Sequence, residues 1–227
     1  MFELKNVSYT YDSGVVALRN VSFKVEKGRS VAIMGANGCG KSTLLKLLNG
    51  LISPNEGEYY FNETIIDKSA LADSSFAKSF HRRVGFVFQN ADAQLFCGSV
   101  EDEVAFGPRQ LDLTEEDCRR RVDDCLKMLD IEELRERAPY TLSGGEKRKV
   151  AFACVLALNP DALVSDEPLE NLDEKGRVLI LELFHALKTA GKTLIFATHN
   201  ATLASELADE RIVMEQGRVA KVETLRP

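Results

Sequence analysis

The chain has 227 residues, 44% of them hydrophobic, so it can bury a sizeable core in one large domain or two small ones. Its 29 basic and 35 acidic residues give a net charge of −6, which argues against broad nucleic-acid binding. The five cysteines form no C-x-x-C pair, which disfavours a disulfide framework or a zinc site and favours reduced thiols in the cytosol. No leader segment is predicted, and no apolar run approaches the roughly 20 residues of a membrane-spanning helix.

Alternating apolar and polar residues open the chain. The runs Phe2 to Tyr11 and Val21 to Val25 predict antiparallel strands of a small sheet. A third apolar run, at residues 31–34, predicts another strand, and an apolar-periodic helix is predicted from Ser42 to Gly50. The strongest motif of the sequence, at residues 35–43, lies where this strand passes into this helix.

This segment reads Gly35-Ala36-Asn37-Gly38-Cys39-Gly40-Lys41-Ser42-Thr43 and fits the phosphate-binding pattern G-x-x-x-x-G-K-[ST] at every fixed position. Its glycines let the backbone wrap a polyphosphate, so that N–H groups and the positive end of the following helix face the phosphates. Lys41 can reach the terminal phosphates, and the Ser42 hydroxyl can bind Mg²⁺. The alternative is a glycine-rich turn with an exposed lysine, which the flanking strand and helix disfavour.

The middle of the chain is less regular. Strands are predicted at Glu58 to Phe61 and at Val84 to Phe88, whereas residues 62–81 carry little pattern. Residues 91–113 mix glycine and proline with apolar side chains that a loop would expose, which is typical of a partner-binding surface. Burial in the domain's own core is an equally ordinary explanation. The apolar residues concerned are Leu95, Phe96, Val100, Val104 and Phe106.

Two capping-box sequences mark the next helices. Thr114 begins the first, and an apolar stripe that includes Cys118 and Cys125 predicts a helix inserted between strands, with both thiols in the core. Ser143 begins the second, because Glu146 follows it by three residues. The remaining predicted elements are strands at residues 162–165 and 193–197, a helix at 174–189 and a hairpin at 211–222.

Polar groups directly follow four predicted strands. They are Lys41 with Ser42, then Gln89, then Asp166 with Glu167, and finally His199. Ligands bind at the carboxyl ends of the strands in an open parallel sheet, so we expect these groups to gather over one phosphate site. Asp166 suits a Mg²⁺ ligand, Glu167 a base for the attacking water, and Gln89 a ligand of the metal or that water. His199 can hydrogen-bond the γ-phosphate, although a lone histidine is more often structural.

The segment Leu142-Ser143-Gly144-Gly145-Glu146 is a second candidate anion site. Two glycines after the cap leave N–H groups exposed at a positive helix end. A chain with one nucleotide loop and a separate cradle could use both in a head-to-tail dimer, which would place each nucleotide between two subunits. The alternative is a capping box that only starts a helix.

These motifs, in this order and spacing, resemble the ATP-binding cassette (ABC) family over almost the whole chain; Leu172-Asp173 also fits the pattern. The resemblance implies one domain, residues 1–227, of the α/β class with the P-loop NTPase fold. Its mainly parallel core sheet would carry an antiparallel β-subdomain and a helical subdomain inserted at roughly residues 90–158. It also implies a Mg²⁺-dependent ATPase in which two cassettes, identical or paralogous, enclose two ATP molecules.

The family pattern also implies roles for individual residues. Tyr11 would stack on adenine, and ATP contacts are implied for Gly35, Asn37, Gly38, Cys39, Gly40, Lys41, Ser42 and Thr43. Ser143, Gly144, Gly145 and Glu146 would face the ATP of the opposite subunit, and Asp173 would communicate across the dimer. The implied catalytic residues are Glu167, His199, Lys41 and Gln89, and the implied metal ligands are Ser42, Gln89 and Asp166. Cys39 and Leu169-Glu170-Asn171 depart from the usual pattern, which has serine and small polar residues there.

A narrower match covers residues 84–90, 92, 94–96 and 100–108, which are similar to the ATPases of energy-coupling factor (ECF) transporters, prokaryotic importers of vitamins or of cobalt and nickel ions. The match implies that residues 91–108 help to form a groove for the coupling helices of an integral membrane subunit. A substrate-binding membrane subunit would complete the complex, and the present chain would lie at the cytoplasmic face of the membrane. The match implies no nucleic acid as partner. The solute is not specified by this sequence.

Two rival functions remain at this point. The first is a non-transport ABC ATPase that acts on nucleic acid or ribosomes, which tandem cassettes, a coiled-coil insertion or a basic face would favour. The second is a regulatory module that binds ATP without hydrolysing it, and Glu167 with His199 argues against this one. The sequence therefore favours the ATPase of an importer.

Overall fold

The computed structural model describes residues 1–111 and 113–226, and their strands form two sheets. The strands are β1 (Phe2–Thr10), β2 (Val16–Val25), β3 (Ser30–Met34), β4 (Glu56–Phe61), β5 (Thr64–Ile65), β6 (Val84–Val87), β7 (Ala162–Asp166), β8 (Thr193–Ala197), β9 (Glu210–Glu215) and β10 (Arg218–Thr224). The smaller sheet is antiparallel, with the order β2-β1-β4-β5. The larger sheet has the order β10-β9-β3-β8-β7-β6, and all its pairs except β9 with β10 are parallel.

The helices are α1 (Lys41–Leu48), α2 (Lys68–Ala72), α3 (Ser74–Arg83), α4 (Val100–Phe106), α5 (Glu115–Met128), α6 (Gly144–Leu156), α7 (Glu174–Thr189) and α8 (Ala201–Leu207). One core cluster joins α1 to both sheets. A second cluster packs the five helices α4, α5, α6, α7 and α8 against the other face of the larger sheet. Both faces of the larger sheet are therefore covered, which explains why β7 and β8 are buried at every residue. Within the described residues, no helix combines the length and apolarity needed to cross a bilayer.

The parallel strands place their carboxyl ends at one edge of the larger sheet. The register pairs β3 with β8, β8 with β7, and β7 with β6, so the residues that follow these strands become neighbours. The predicted parallel core sheet and small antiparallel sheet are both present, and α7 and β8 have the predicted bounds. The stripe of α5 is buried as predicted, and both Cys118 and Cys125 lie in the core with free thiols.

Some local elements had no sequence prediction, and others differ from the prediction. Residues 62–81, which showed little pattern, contain β5, α2 and most of α3. The segment at 91–113 contains α4, and Val100 and Val104 are fully buried, in agreement with the alternative of burial in the domain's own core. Only Phe96 and Phe106 of the five apolar residues named there are largely exposed. The helix α8 was not predicted, and β2 begins at Val16, well before the predicted Val21.

Candidate functional site

The phosphate-binding loop, residues 35–43, connects β3 to α1. Gly35 and Gly40 have φ angles of +146° and +105°, and a Cβ atom there would lie 2.3 Å from the Met214 carbonyl oxygen and 2.6 Å from that of Ala17. Only glycine fits both the backbone conformation and the space. No side chain caps α1 at Gly40, so the first N–H groups of this helix are free to bind an anion.

Lys41 folds back over the loop. Its Nζ donates hydrogen bonds to the carbonyl oxygen of Gly35 at 2.8 Å and to that of Ala36 at 3.1 Å. The side chain is largely buried, so the ammonium group is held at the mouth of the loop instead of extending into solvent. Phosphate oxygens at this position could take over the same donors as charge-assisted hydrogen bonds.

A cavity of about 460 Å³ opens beside the loop, within the usual size of ligand sites. It is lined by Tyr11, Val15, Val16, Ala17, Asn37, Gly38, Gly40, Lys41, Ser42, Thr43, Gln89, Asp166 and Glu167. Gly35 and Cys39 instead line a neighbouring cavity with Met214, and the buried Cys39 thiol belongs to the core. The cavity thus brings together residues that follow β1, β3, β6 and β7.

Tyr11 forms part of the wall of this cavity. Its hydroxyl lies 2.9 Å from Oγ1 of Thr43, and its ring meets the ring of Tyr9 edge to face, with 4.9 Å between the centroids. These two contacts orient an aromatic ring at a site where a nucleobase could stack on it.

Oxygen atoms suited to a hard cation lie at the floor of the cavity. Burial raises the pKa of Asp166 above its ordinary value, and a hydrogen bond from Ser42 opposes that shift. A hydroxyl, a carboxylate and the Gln89 amide form an all-oxygen donor set, which Mg²⁺ prefers. The described chain contains no cluster of three or more His, Cys, Asp or Glu residues able to hold a metal, so a cation here would need further ligands from phosphate or water.

Glu167 is held by three contacts. Its backbone adopts φ +46°, and its N–H donates to the carbonyl oxygen of Ala197 at 3.0 Å. Oε1 lies 2.9 Å from Nδ1 of His199, and Oε2 accepts a 3.3 Å hydrogen bond from Thr198. The structure therefore links His199 to the site through Glu167, although the histidine itself is mostly exposed and does not line the cavity.

Arg148, which the sequence analysis did not single out, joins the loops after β6 and β7. This guanidinium group, 1% exposed, donates to backbone carbonyl oxygens only; they belong to Phe88, Gln89, Asp166, Glu167 and Pro168. Burial lowers the pKa of Arg148 to about 10, so the group stays charged at neutral pH. In the sequence Arg148 lies among Glu146, Lys147 and Lys149 at the charged start of α6, and no pattern distinguishes it from them.

A side-chain contact also joins the same two loops. Gln89 Nε2 donates a 2.9 Å hydrogen bond to Oε2 of Glu170. Both side chains are exposed to solvent. The sequence marked Glu170 only as a departure from the family pattern, because the proximity of two residues so far apart in the chain depends on the sheet register.

The second predicted anion site lies outside this cavity. Ser143 accepts from the N–H of Glu146 at 3.3 Å and donates its own N–H to the Glu146 carboxylate at 2.6 Å, which confirms the capping box of α6. A Cβ atom added to Gly145 would lie 3.1 Å from the carbonyl oxygen of Asn171. Asp173 caps α7 by accepting from the N–H of Gly176 at 2.8 Å.

Comparison with known proteins gives a consistent result. Residues 18–170 match the family model described as ABC transporter. The nickel import ATP-binding protein LarO of Lactiplantibacillus plantarum is 46% identical over 94% of this chain and 88% of its own length. The dimeric cassette MJ0796, solved in a post-hydrolysis state with ADP and Pi, superposes with a TM-score of 0.92 at 33% identity over the full length of both chains. CbiO1 from Clostridium perfringens, part of the transporter complex CbiONQ, superposes with a TM-score of 0.84 at 35% identity over 99% of this chain and 88% of that one.

Proposed function

The chain belongs to the ABC transporter family and is an ATPase, and we propose that it is the ATP-hydrolysing subunit of an ECF-type importer. This subunit would power the uptake of a cobalt or nickel ion, or of a vitamin such as biotin, through membrane partner subunits. The observation that carries the proposal is the cavity in which Lys41, Asp166 and Glu167 converge on the phosphate-binding loop. A phosphate loop facing two strand-end carboxylates is suited to phosphoryl transfer to water.

In this proposal each residue at the loop has a separate task. The loop N–H groups and Lys41 bind the β- and γ-phosphates, and Lys41 leaves its backbone acceptors to do so. Glu167 orients the attacking water and accepts its proton, because its carboxylate is fixed by Thr198 and His199 beside the cavity. Tyr11, which lines the same cavity, stacks on the adenine ring.

We further propose Mg²⁺ as the cofactor, since the donor set at the cavity floor fits it. Ser42, Gln89 and Asp166 would hold the ion, which when bound would neutralise charge that develops on the phosphates. Burial is the main cause of the raised pKa of Asp166, and it outweighs the Ser42 hydrogen bond and the attraction to Lys41 and Arg148 that favour the ionised form. A bound cation would favour the ionised form and return that pKa towards its ordinary range.

A second copy or a paralogue completes the site in this proposal. The N–H groups of Gly144 and Gly145 begin α6 outside the cavity of their own chain, so a nucleotide bound to another subunit is their natural anion. The related cassette MJ0796 is dimeric in its ADP and Pi state. Closure over two ATP molecules and reopening after hydrolysis would give the motion that drives a membrane partner.

The membrane partner is proposed to bind residues 91–108. Phe96 and Phe106 are 69% and 48% exposed, and their rings meet edge to face with 5.0 Å between centroids. The buried Glu103 carboxylate of α4 accepts hydrogen bonds from the N–H groups of Phe96 and Cys97, which holds the loop that carries Phe96 against the helix that carries Phe106. Residues 91–108 follow Gln89 closely in the chain, so nucleotide binding at Gln89 would move the surface that they form. LarO and CbiO1 are named as an import ATPase and as a member of a transporter complex, which supports this assignment.

The rival role on nucleic acid or ribosomes has less support. The net charge of −6 gives the chain no general attraction to polyanions. We propose, from the import role of its relatives, that the subunit is a peripheral component of the importer at the cytoplasmic face of the membrane.

The ATPase assignment is tested by Glu167→Gln. The amide keeps the size of the side chain but cannot accept the proton of water, so we expect phosphate release to fall by about 10²-fold or more. ATP affinity should stay within about threefold of wild type, because Glu167 is not assigned to ATP binding. Glu182→Gln on the exposed face of α7 is the matched control and should leave both values unchanged. Wild-type turnover in Glu167→Gln would exclude the assigned mechanism.

A further inference from the structure

Glu170 contacts a residue of the nucleotide site although it does not line the cavity itself. It follows Glu167 by three residues in the loop after β7, and its Oε2 accepts a 2.9 Å hydrogen bond from Nε2 of Gln89, in the loop after β6. Gln89 does line the cavity. The contact therefore joins an exposed carboxylate to an amide whose other end is free.

The chemistry of the two groups fixes which end of the amide is free. An ionised carboxylate has only acceptor atoms, so the NH₂ group of Gln89 must face Glu170. Turning the amide over would place Oε1 against a carboxylate oxygen, where two negative atoms repel each other. Glu170 thus leaves Oε1, a hard oxygen, as the Gln89 atom available to a ligand in the cavity.

The backbone around this contact is already fixed. Arg148 donates to the carbonyl oxygen of Gln89 at 3.2 Å and to those of Asp166 and Glu167 at 2.6 Å and 2.7 Å. Arg148 therefore bridges the loops after β6 and β7 through their backbone, without using the Gln89 side chain. The Glu170 carboxylate therefore acts on the orientation of the Gln89 side-chain amide.

We propose that Glu170 is a positioning residue that holds the amide oxygen of Gln89 towards the metal and phosphate end of the cavity. The proposal rests on the proposed function, in which Gln89 is a ligand of Mg²⁺. Its consequence is specific: Glu170 strengthens the binding of nucleotide with Mg²⁺ and has no effect on the binding of nucleotide without it.

The test measures the affinity for mant-AMP-PNP, a fluorescent ATP analogue that is not hydrolysed, in Mg²⁺ and in EDTA. In Glu170→Gln the new amide can offer either its oxygen or its NH₂ group to Gln89, so the preferred orientation is lost. We expect affinity in Mg²⁺ to fall about twofold, because about half of the Gln89 amides would then turn NH₂ towards the cavity, and affinity in EDTA to remain at the wild-type value. The exposed Glu182→Gln is the matched control for the loss of one negative charge and should change neither affinity.

A double-mutant cycle separates positioning from a general electrostatic effect. Gln89→Ala should lower the affinity in Mg²⁺ at least as much as Glu170→Gln, and adding Glu170→Gln to it should cause no further loss. A further loss in the double variant, or an equal loss in EDTA, would overturn the role of Glu170 and leave the nucleotide site intact. A wild-type protein with the same affinity in Mg²⁺ and EDTA would overturn the metal site itself, and the role of Glu170 with it.

Discussion

At the scale of single residues, Arg148 stands out because it is a buried charge without a hydrogen-bonded carboxylate. Its donors are matched instead by carbonyl oxygens from the two loops that follow β6 and β7. Asp166, Glu167 and Glu170 favour its charged form from nearby, against the effect of burial on its pKa. This residue of α6 thus holds together the backbone that carries Gln89 and Glu167.

We predict that Arg148→Lys destabilises the protein. An ammonium group has three donors in place of five and cannot bridge both loops, so buried carbonyl oxygens lose their partners. The free energy of unfolding in urea should fall by about 2 kcal/mol. The control is Arg120→Lys on α5, where the side chain is 71% exposed and pairs with Asp117 at the surface. A change of under about 0.5 kcal/mol is expected there, and the same small change at Arg148 would contradict the bridging role.

At the scale of elements, the capping box of α6 lies at the same helix end as the proposed second anion site. The hydrogen bond from the N–H of Ser143 is the main cause that lowers the pKa of Glu146 below its ordinary value of 4.5. Ser143 and Glu146 occupy two of the free donors at this helix end, and the N–H groups of Gly144 and Gly145 have no such capping partner. The cap thus fixes the helix end without blocking the cradle.

We predict that Glu146→Ala lowers the free energy of unfolding by about 1 kcal/mol at neutral pH. A carboxyl whose folded pKa is lowered contributes stability above its unfolded pKa, and that contribution disappears as the pH falls through the folded pKa. The difference from wild type should therefore shrink once the pH falls below 4.5. Urea unfolding at neutral pH and at about pH 4 measures it. Glu182→Ala, in the middle of α7, provides no cap and is the control; a Glu146→Ala difference as large in acid would exclude the carboxylate as its source.

The same scale shows why some elements could be predicted from sequence and others could not. Helix α7 has sixteen residues, a capping Asp173 and an apolar face, so periodicity and cap agree on its bounds. Helix α3 buries only Phe80, and Asp73 ends α2 while capping α3, so neither leaves a readable stripe. In α4 the spacing of Val100 and Val104 was a helix signal, but its short length and the nearby glycine and proline obscured it.

Some features of the candidate site could likewise be predicted from the sequence, and others could not. The loop, Gln89, Asp166 and Glu167 each follow an apolar strand, so sequence position and the rule for parallel sheets were enough to bring them together. The contact of Gln89 with Glu170 and the bridging by Arg148 depend on side-chain directions and on the register of β6 with β7. No periodicity in the sequence encodes them.

At the scale of the whole molecule, the nucleotide site and the exposed aromatic pair lie at the two ends of one connected segment. Gln89 lines the cavity, and Phe96, in the loop before α4, and Phe106, at the end of α4, are exposed to solvent. Nζ of Lys147 in α6 donates a 2.6 Å hydrogen bond to Oδ1 of Asp92. This contact joins the segment to the helix that begins at the proposed second anion site. In the proposed function, both proposed nucleotide-binding elements are therefore connected to the same surface.

We predict that replacing both Phe96 and Phe106 by serine abolishes binding to the membrane subunits and leaves basal ATP hydrolysis unchanged. Covering an exposed phenyl side chain contributes about 1.5–3 kcal/mol, so losing two should weaken the complex well over tenfold. The measurement is affinity purification of the tagged chain from detergent-solubilised membranes of its native cell, with quantification of the multi-span membrane proteins retained. Val178→Ser, which removes a 49% exposed side chain from α7, should retain them at the wild-type level. If wild type retains ribosomes or nucleic acid in place of membrane proteins, or if the double variant retains its membrane partners, the importer assignment of this surface is wrong.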